Sequence, residues 1–256
     1  GKLKSEDGND LYYRLLKPVN FDDTKKYPVL IFVYGGPHVQ VCITGARWSD
    51  SSFFLQYLLQ QGYLVFSIDN RGSAGRGRNF EQVIYRDLST CEVADQQTGV
   101  EYLRTLPYVD GSRIGIYGHS YGGYMALMCL FRMPPGYITA AVSGAPVTDW
   151  KYYDTHYTER YQGTPQDNPS GYQSSSVLQY AKSYDDNNSS LLMYHGMADD
   201  NVLFTNSTAL YKILQDQGKV FEIMDYPGAK HSMSGEKVKI HLYKTLFSFL
   251  QRTLKK

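Results

Sequence analysis

Apolar residues in this chain gather into short dense runs. Six of these runs are rich in β-branched or aromatic side chains and end in glycine or proline. They are YPVLIFVYGG (27–36), GYLVFSIDNRG (62–72), RIGIYG (113–118), ITAAVSGAP (138–146), SLLMYHG (190–196) and VFEIMDYPG (220–228). Short continuous runs bounded by turn formers predict strands buried on both faces. Between them the spacing of apolar positions changes to that of helices, over about 87–106, 120–132, 205–217 and 236–253.

Strands alternating with helices predict a mostly parallel sheet with helices on both faces. In such sheets ligands collect outside the carboxyl ends of the strands, so each loop after a strand is a candidate for chemistry. One segment interrupts the alternation. Residues 147–189 are rich in Tyr, Asp, Asn, Ser and Gln and carry the turn-forming TPQDNPSG, and they are too long for a simple connection. They read as an insertion over the strand ends.

The third strand runs into GHSYGG and then into a helical segment. Strand, Gly-x-Ser-x-Gly and helix form a nucleophile elbow, in which a sharp turn exposes the serine, here Ser120. Gly118 and Gly122 stand two residues to either side, where any side chain is expected to collide with the neighbouring strand or helix. His119 is not expected to be the base, because adjacent side chains on a tight turn point in different directions. In this fold the order is Ser, then an acid, then His. His231, in MDYPGAKHSMSG between the last strand and the last helix, has the position of the base. The acid is expected after the fifth strand, where YHGMADDNV offers Asp199 and Asp200, nearly even on physical grounds. Two donors must face an oxyanion. One is the amide of Tyr121. The other belongs to the loop VYGGPH (33–38), where either the Tyr34 hydroxyl or a backbone amide is available. The glycine-rich RGSAGRGRNF (71–80) lacks the spacings of a phosphate-binding loop and reads as a surface loop.

Composition narrows the function classes. The 256 residues suit one large α/β domain, and a net charge of +1 gives no electrostatic pull toward nucleic acid. Apolar runs such as VLIFV (29–33) are too short to cross a bilayer. Cys42, Cys91 and Cys129 are widely spaced, which argues against a zinc knuckle or a disulfide scaffold, and Cys129 reads as a buried thiol. No metal site and no cofactor are expected. The 24 tyrosines cluster, four of them in DWKYYDTHYTERY (149–161). On their own they read as a core edge or a wet interface.

Five stretches taken together resemble the prolyl oligopeptidase family, and within it the bacterial branch of the dipeptidyl peptidase IV subfamily. They are VYGGP (33–37), GHSYGGYM (118–125), APVTDWKYYDTHYTERY (145–161), HGMADDNV (195–202) and YPGAKH (226–231). The resemblance implies an α/β-hydrolase fold, with Ser120 as nucleophile, Asp199 as acid and His231 as base, and it supports Tyr34 as the second oxyanion donor. It gives the tyrosine cluster a role. Val147, Trp150, Tyr153, Tyr157, Tyr121 and Val202 match residues that enclose the penultimate proline or alanine of a peptide. Asn201 matches a group that bonds the carbonyl of the substrate's second residue, with Arg160 close to that region.

The implied activity is that of a serine exopeptidase releasing dipeptides after Pro or Ala. An esterase or acylaminoacyl peptidase of the same fold, and a non-catalytic homologue used for interaction, are the competing readings. Two departures stand out. Many relatives have Trp where this chain has His119. Family members also carry a β-propeller ahead of the hydrolase domain, whose paired glutamates hold the substrate's amino terminus, and no repeated blade pattern is present here. Residues 1–256, with the insertion at about 147–189, are therefore expected to be the catalytic domain alone, with a propeller as its partner in cis. A homodimer is left open. The compartment is not legible, although the bacterial branch points to the periplasm or cell envelope.

Overall fold

The computed structural model describes residues 1–42 and 50–255. The strands are β1 (Lys2–Lys4), β2 (Asp10–Leu16), β3 (Tyr27–Phe32), β4 (Leu64–Ile68), β5 (Val109–His119), β6 (Ala140–Gly144), β7 (Ser190–Gly196) and β8 (Glu222–Tyr226). The helices are α1 (Asp50–Gln60), α2 (Arg78–Glu81), α3 (Thr90–Thr105), α4 (Tyr121–Arg132), α5 (Thr155–Gln162), α6 (Pro169–Ser174), α7 (Thr205–Asp216) and α8 (Glu236–Leu254). The strands form one sheet of order β1-β2-β4-β3-β5-β6-β7-β8. From β4 to β8 in that order every pairing is parallel, and β2 runs antiparallel to both of its neighbours.

Burial explains the parallel core. Every residue of β4 and β6 is buried, as are six of the seven in β7. One face of the sheet packs on α3, α4 and α7 through side chains such as Leu103, Leu127, Phe131 and Leu210. The other packs on α1 and α8 through Leu58, Leu246, Phe249 and Leu250. Helices on both faces leave the carboxyl edge of the strands as the open rim where a site can form.

Elements β1, β2 and α1 lie outside the sequence expectation. In β1 and β2 only Leu11 is fully buried, so no dense apolar run marks this antiparallel edge. In α1 the buried Phe54, Leu55, Leu58 and Leu59 do repeat at helical spacing.

The stretch 147–189 folds into short pieces: α5, α6 and two 3₁₀ turns, Trp150–Tyr152 and Val177–Ser183. Its first half stands at the strand ends. Its second half buries Val177, Ala181 and Tyr184 in the core, with the Val177–Ser183 turn packed against α4 and α7. It is therefore as much a wall of the domain as a cover over the sheet.

The glycine-rich 71–80 stretch is not a plain surface loop, and that expectation is corrected. Arg71 and Ser73 are buried. The Arg71 guanidinium donates to the buried carboxylate of Asp95 at 2.9 and 2.7 Å, a forked pair that satisfies both charges. The partner lies on α3, 24 residues away, beyond the reach of a local motif.

Candidate active site

The elbow joins β5 to α4. Ser120 has φ 61° and ψ −122°, an uncommon conformation for a residue with a side chain. Its neighbours hold it there: the Ser120 amide donates to Gly144 O at 2.8 Å, and Ser120 O accepts from the Tyr124 amide at 3.0 Å. A Cβ at position 118 would lie 2.2 Å from Gly122 O, and one at position 122 would lie 2.3 Å from Val33 O. Both contacts are with backbone, so neither glycine tolerates a side chain.

His231, in the loop between β8 and α8, has Nε2 2.9 Å from Ser120 Oγ and Nδ1 2.7 Å from Asp199 Oδ2. A carboxylate only accepts, so Nδ1 carries the proton and Nε2 is free to accept from the serine hydroxyl. Of the two carboxylates after β7, Asp199 is the one that meets His231. Asp200 is exposed and pairs with Lys230 at 2.5 Å.

Asp199 is itself buried and well satisfied. Its Oδ1 accepts the amides of Asn201 at 2.9 Å and Val202 at 3.0 Å. Its Oδ2 also lies 3.1 Å from Nε2 of His195, which is 2.9 Å from Val202 O. That Nε2–H is shared between the two acceptors, and Nδ1 of His195 accepts from the Ser207 hydroxyl at 2.7 Å. Burial lowers the pKa of His195 and favours the neutral ring. His195 thus contacts Asp199 rather than Ser120.

Tyr121 is the first residue of α4, where helix amides lack an intrahelical acceptor and favour negative charge. The Tyr34 ring stacks on that of Tyr121 with centroids 6.0 Å apart. Burial raises the Tyr34 pKa, so its hydroxyl remains a donor. Tyr34 and Ser120 border a cavity of about 310 Å³, shared with His119, Met233 and Leu242.

Beside Ser120 the aromatic residues make a continuous wall. Trp150 lies 5.6 Å from Tyr121, 6.0 Å from Tyr153 and 5.9 Å from Tyr157, and Tyr153 and Tyr157 meet edge to face at 5.3 Å. Val147, Trp150 and Val202 are buried, and Tyr153 and Tyr157 are half-exposed. The Tyr153 hydroxyl donates to Asn201 Oδ1 at 2.7 Å, tying the 147–189 stretch to the loop that carries Asp199. Arg160 lies one turn beyond Tyr157. It is exposed on α5 and borders a separate hollow of about 280 Å³ with His38, Glu81, Tyr85 and Tyr161.

Three supporting groups escaped sequence reasoning. The Tyr121 hydroxyl donates to Glu92 Oε1 at 3.0 Å, and that oxygen also accepts the Ser89 amide at 2.9 Å. Burial raises the Glu92 carboxyl to about 7. The Ser-x-x-Glu spacing of residues 89–92 signals a helix start, but not a neighbour of the elbow. His195 and His119 carried no signal for the contacts they make.

A Ser–His–Asp row on the elbow of a mostly parallel sheet, with helices on both faces, defines an α/β-hydrolase. The prolyl oligopeptidase family profile matches residues 48–256, and the chain belongs to that family. It is 40% identical over 246 residues to dipeptidyl peptidase 8 of Homo sapiens, covering 94% of this chain and 27% of that protein. It is 37% identical over 247 residues to dipeptidyl peptidase 4 of Sus scrofa, covering 96% of this chain and 32% of the relative. The solved dipeptidyl peptidase 4 of Porphyromonas gingivalis superposes with a TM-score of 0.93 at 36% identity, over 99% of this chain and 35% of that one. The chain thus spans about a third or less of the relatives it matches.

Proposed function

We propose that this chain is the reaction centre of a serine peptidase that releases N-terminal dipeptides after a penultimate Pro or Ala. The observation that carries the reading is the aromatic wall of Tyr121, Trp150, Tyr153 and Tyr157 standing beside Ser120. A narrow apolar slot suits proline, whose ring is compact and rigid, and it suits the small side chain of alanine. Val147 and Val202 close the slot, and the Asn201 side-chain amide beside it is available to bond a substrate carbonyl. Arg160, exposed on α5 beyond Tyr157, lies near the rim of this group.

In the proposed reaction Ser120 Oγ attacks the carbonyl carbon of the second residue while His231 Nε2 takes the hydroxyl proton. Asp199 stabilises the imidazolium that forms. The tetrahedral oxyanion is met by the Tyr121 amide and the Tyr34 hydroxyl. Collapse breaks the C–N bond, and His231 returns its proton to the departing amine. Water, deprotonated by His231, then releases the dipeptide from Ser120.

The relatives are about three times longer than the matched region, and recognition of the free amino terminus is assigned to sequence beyond these 256 residues. The test compares Ala-Pro, Gly-Pro and Ala-Leu chromogenic amides with simple acyl esters. A preference of about tenfold or more in kcat/KM for Pro over Leu at the second position supports the proposal. That is within what one walled apolar pocket can supply. Turnover of esters with no such preference would favour an esterase of the same fold.

A further inference from the structure

His119 follows β5 directly into the elbow and makes two bonds. Its Nε2 lies 2.9 Å from the backbone carbonyl of His231, and its Nδ1 lies 3.0 Å from the Tyr194 hydroxyl. A carbonyl only accepts, so Nε2 carries the proton. Nδ1 of the neutral ring is then an acceptor, and Tyr194 donates to it. Tyr194 is buried on β7. The His119 ring stacks on that of Tyr194 at 5.8 Å and lies 4.9 Å from the His231 ring. Donation therefore runs one way, from Tyr194 to His119 to the His231 carbonyl.

We propose that His119 is a positioning residue: it fastens the backbone of the His231 loop to the nucleophile elbow and so sets the approach of His231 Nε2 to Ser120 Oγ. The inference rests on the roles assigned above to Ser120 and His231.

The other fastenings of this loop act elsewhere. The Ala198 amide donates to Ala229 O at 3.0 Å, and the Met233 amide donates to Lys230 O at 3.0 Å. Lys230 pairs with Asp200 in solvent, where an ion pair contributes little. The Ala198 bond and the Lys230 pair hold His231 relative to the Asp199 loop. The His119 bond holds it relative to Ser120, because residues 119 and 120 are consecutive and His119 is fixed in register against Gly144 of β6. Ser120, His119, the His231 carbonyl and the His231 ring thus close a small circuit whose last link is the 2.9 Å Oγ–Nε2 contact. The bond from His119 to the His231 carbonyl joins residues 112 apart in sequence. A tryptophan at this position could donate from its indole N–H but could not accept from Tyr194. The paired His119 and Tyr194 are one arrangement in which both groups are satisfied.

The test uses His119→Phe, which keeps a ring and removes both bonds, and His119→Gln, which retains one donor and one acceptor. The readouts are the second-order rate of Ser120 labelling by a small fluorophosphonate, and kcat and KM on an Ala-Pro ester. Small misplacements of reacting groups cost up to about 10²-fold. His119→Phe is expected to slow labelling and kcat by about 10–100-fold with KM within about threefold, and His119→Gln to recover most of that loss. Tyr194→Phe, acting at the far end of the row, is expected to lose about 3–10-fold in the same readouts, and it carries the test if neither ring substitution folds. Wild-type labelling and kcat in folded His119→Phe, or in Tyr194→Phe where that variant carries the test, would overturn the inference. So would an equal loss in His119→Phe and His119→Gln. Failure of wild-type Ser120 to label at all would instead overturn the assignment of the nucleophile.

Discussion

The Tyr121 hydroxyl donates to Glu92 Oε1 at 3.0 Å, which places a fully buried carboxyl group behind the first residue of the elbow helix. Desolvation raises that carboxyl from its usual 4.5 to about 7, against the bonds from Ser89 and Tyr121 that favour the charge. Between those two values the native state keeps a proton that the unfolded chain has lost. The stability contributed by the neutral form is therefore complete below about pH 4.5 and is lost as pH rises toward 7. The span corresponds to up to about 3 kcal/mol. Glu92→Gln, always neutral, should show a smaller fall in Tm than the wild type between pH 5 and pH 8. Identical Tm profiles would mean that Glu92 is ionised in the folded protein throughout.

His119 works in the opposite direction. Burial, and then the proximity of His231, lower it from 6.5 to about 4. The unfolded chain binds a proton below 6.5 that the folded chain refuses, so this contribution is present above 6.5 and is lost as pH falls toward 4. His119→Gln should retain more of its neutral-pH stability at pH 4.5 than the wild type does. Chemical denaturation at the two pH values measures this, and an unchanged difference would contradict it.

The two carboxylates after β7 should separate sharply. Asp199→Asn removes the acceptor that fixes the His231 tautomer and should lower kcat by about 10⁴-fold, the scale of this change in other triads. Asp200→Asn loses only an exposed pair with Lys230 and should stay within about twofold of the wild type. Steady-state kinetics on one ester decide it. A comparable loss in both variants would contradict the assignment.

Tyr34→Phe keeps the ring stacked on Tyr121 and removes the hydroxyl. If that hydroxyl meets the oxyanion, kcat should fall by about 10²–10³-fold with little change in KM. An unchanged kcat would assign the second donor to a backbone amide.

Legibility in the sequence followed the physics of each element. β3, β4, β6 and β7 are buried on both faces and therefore appear as dense apolar runs. β2 sits at an antiparallel margin, and Asp10 and Arg14 break its run, so nothing marked it. Ser120 could be read because the elbow requires glycine at two fixed offsets, where backbone from the same turn and from Val33 leaves no room for a Cβ. The choice between Asp199 and Asp200 could not be read from spacing, because adjacent residues in a turn differ only in orientation. The amides of Asn201 and Val202 capture one oxygen of Asp199, and this orientation turns the other toward His231. The supporting groups were least legible. His119 and His231 are 112 positions apart, as are Tyr121 and Glu92 by 29, and no periodicity encodes such contacts.

The most direct test of the account is whether Ser120 carries the acyl group of a dipeptide during turnover. Wild-type protein mixed with an Ala-Pro ester is quenched in acid within the first turnovers, digested, and weighed peptide by peptide. One added Ala-Pro acyl group is expected on Ser120, accumulating in His231→Ala only at a greatly reduced rate and absent in Ser120→Ala. Release of Ala-Pro by Ser120→Ala at the wild-type rate, or an acyl group on any other residue, would contradict it.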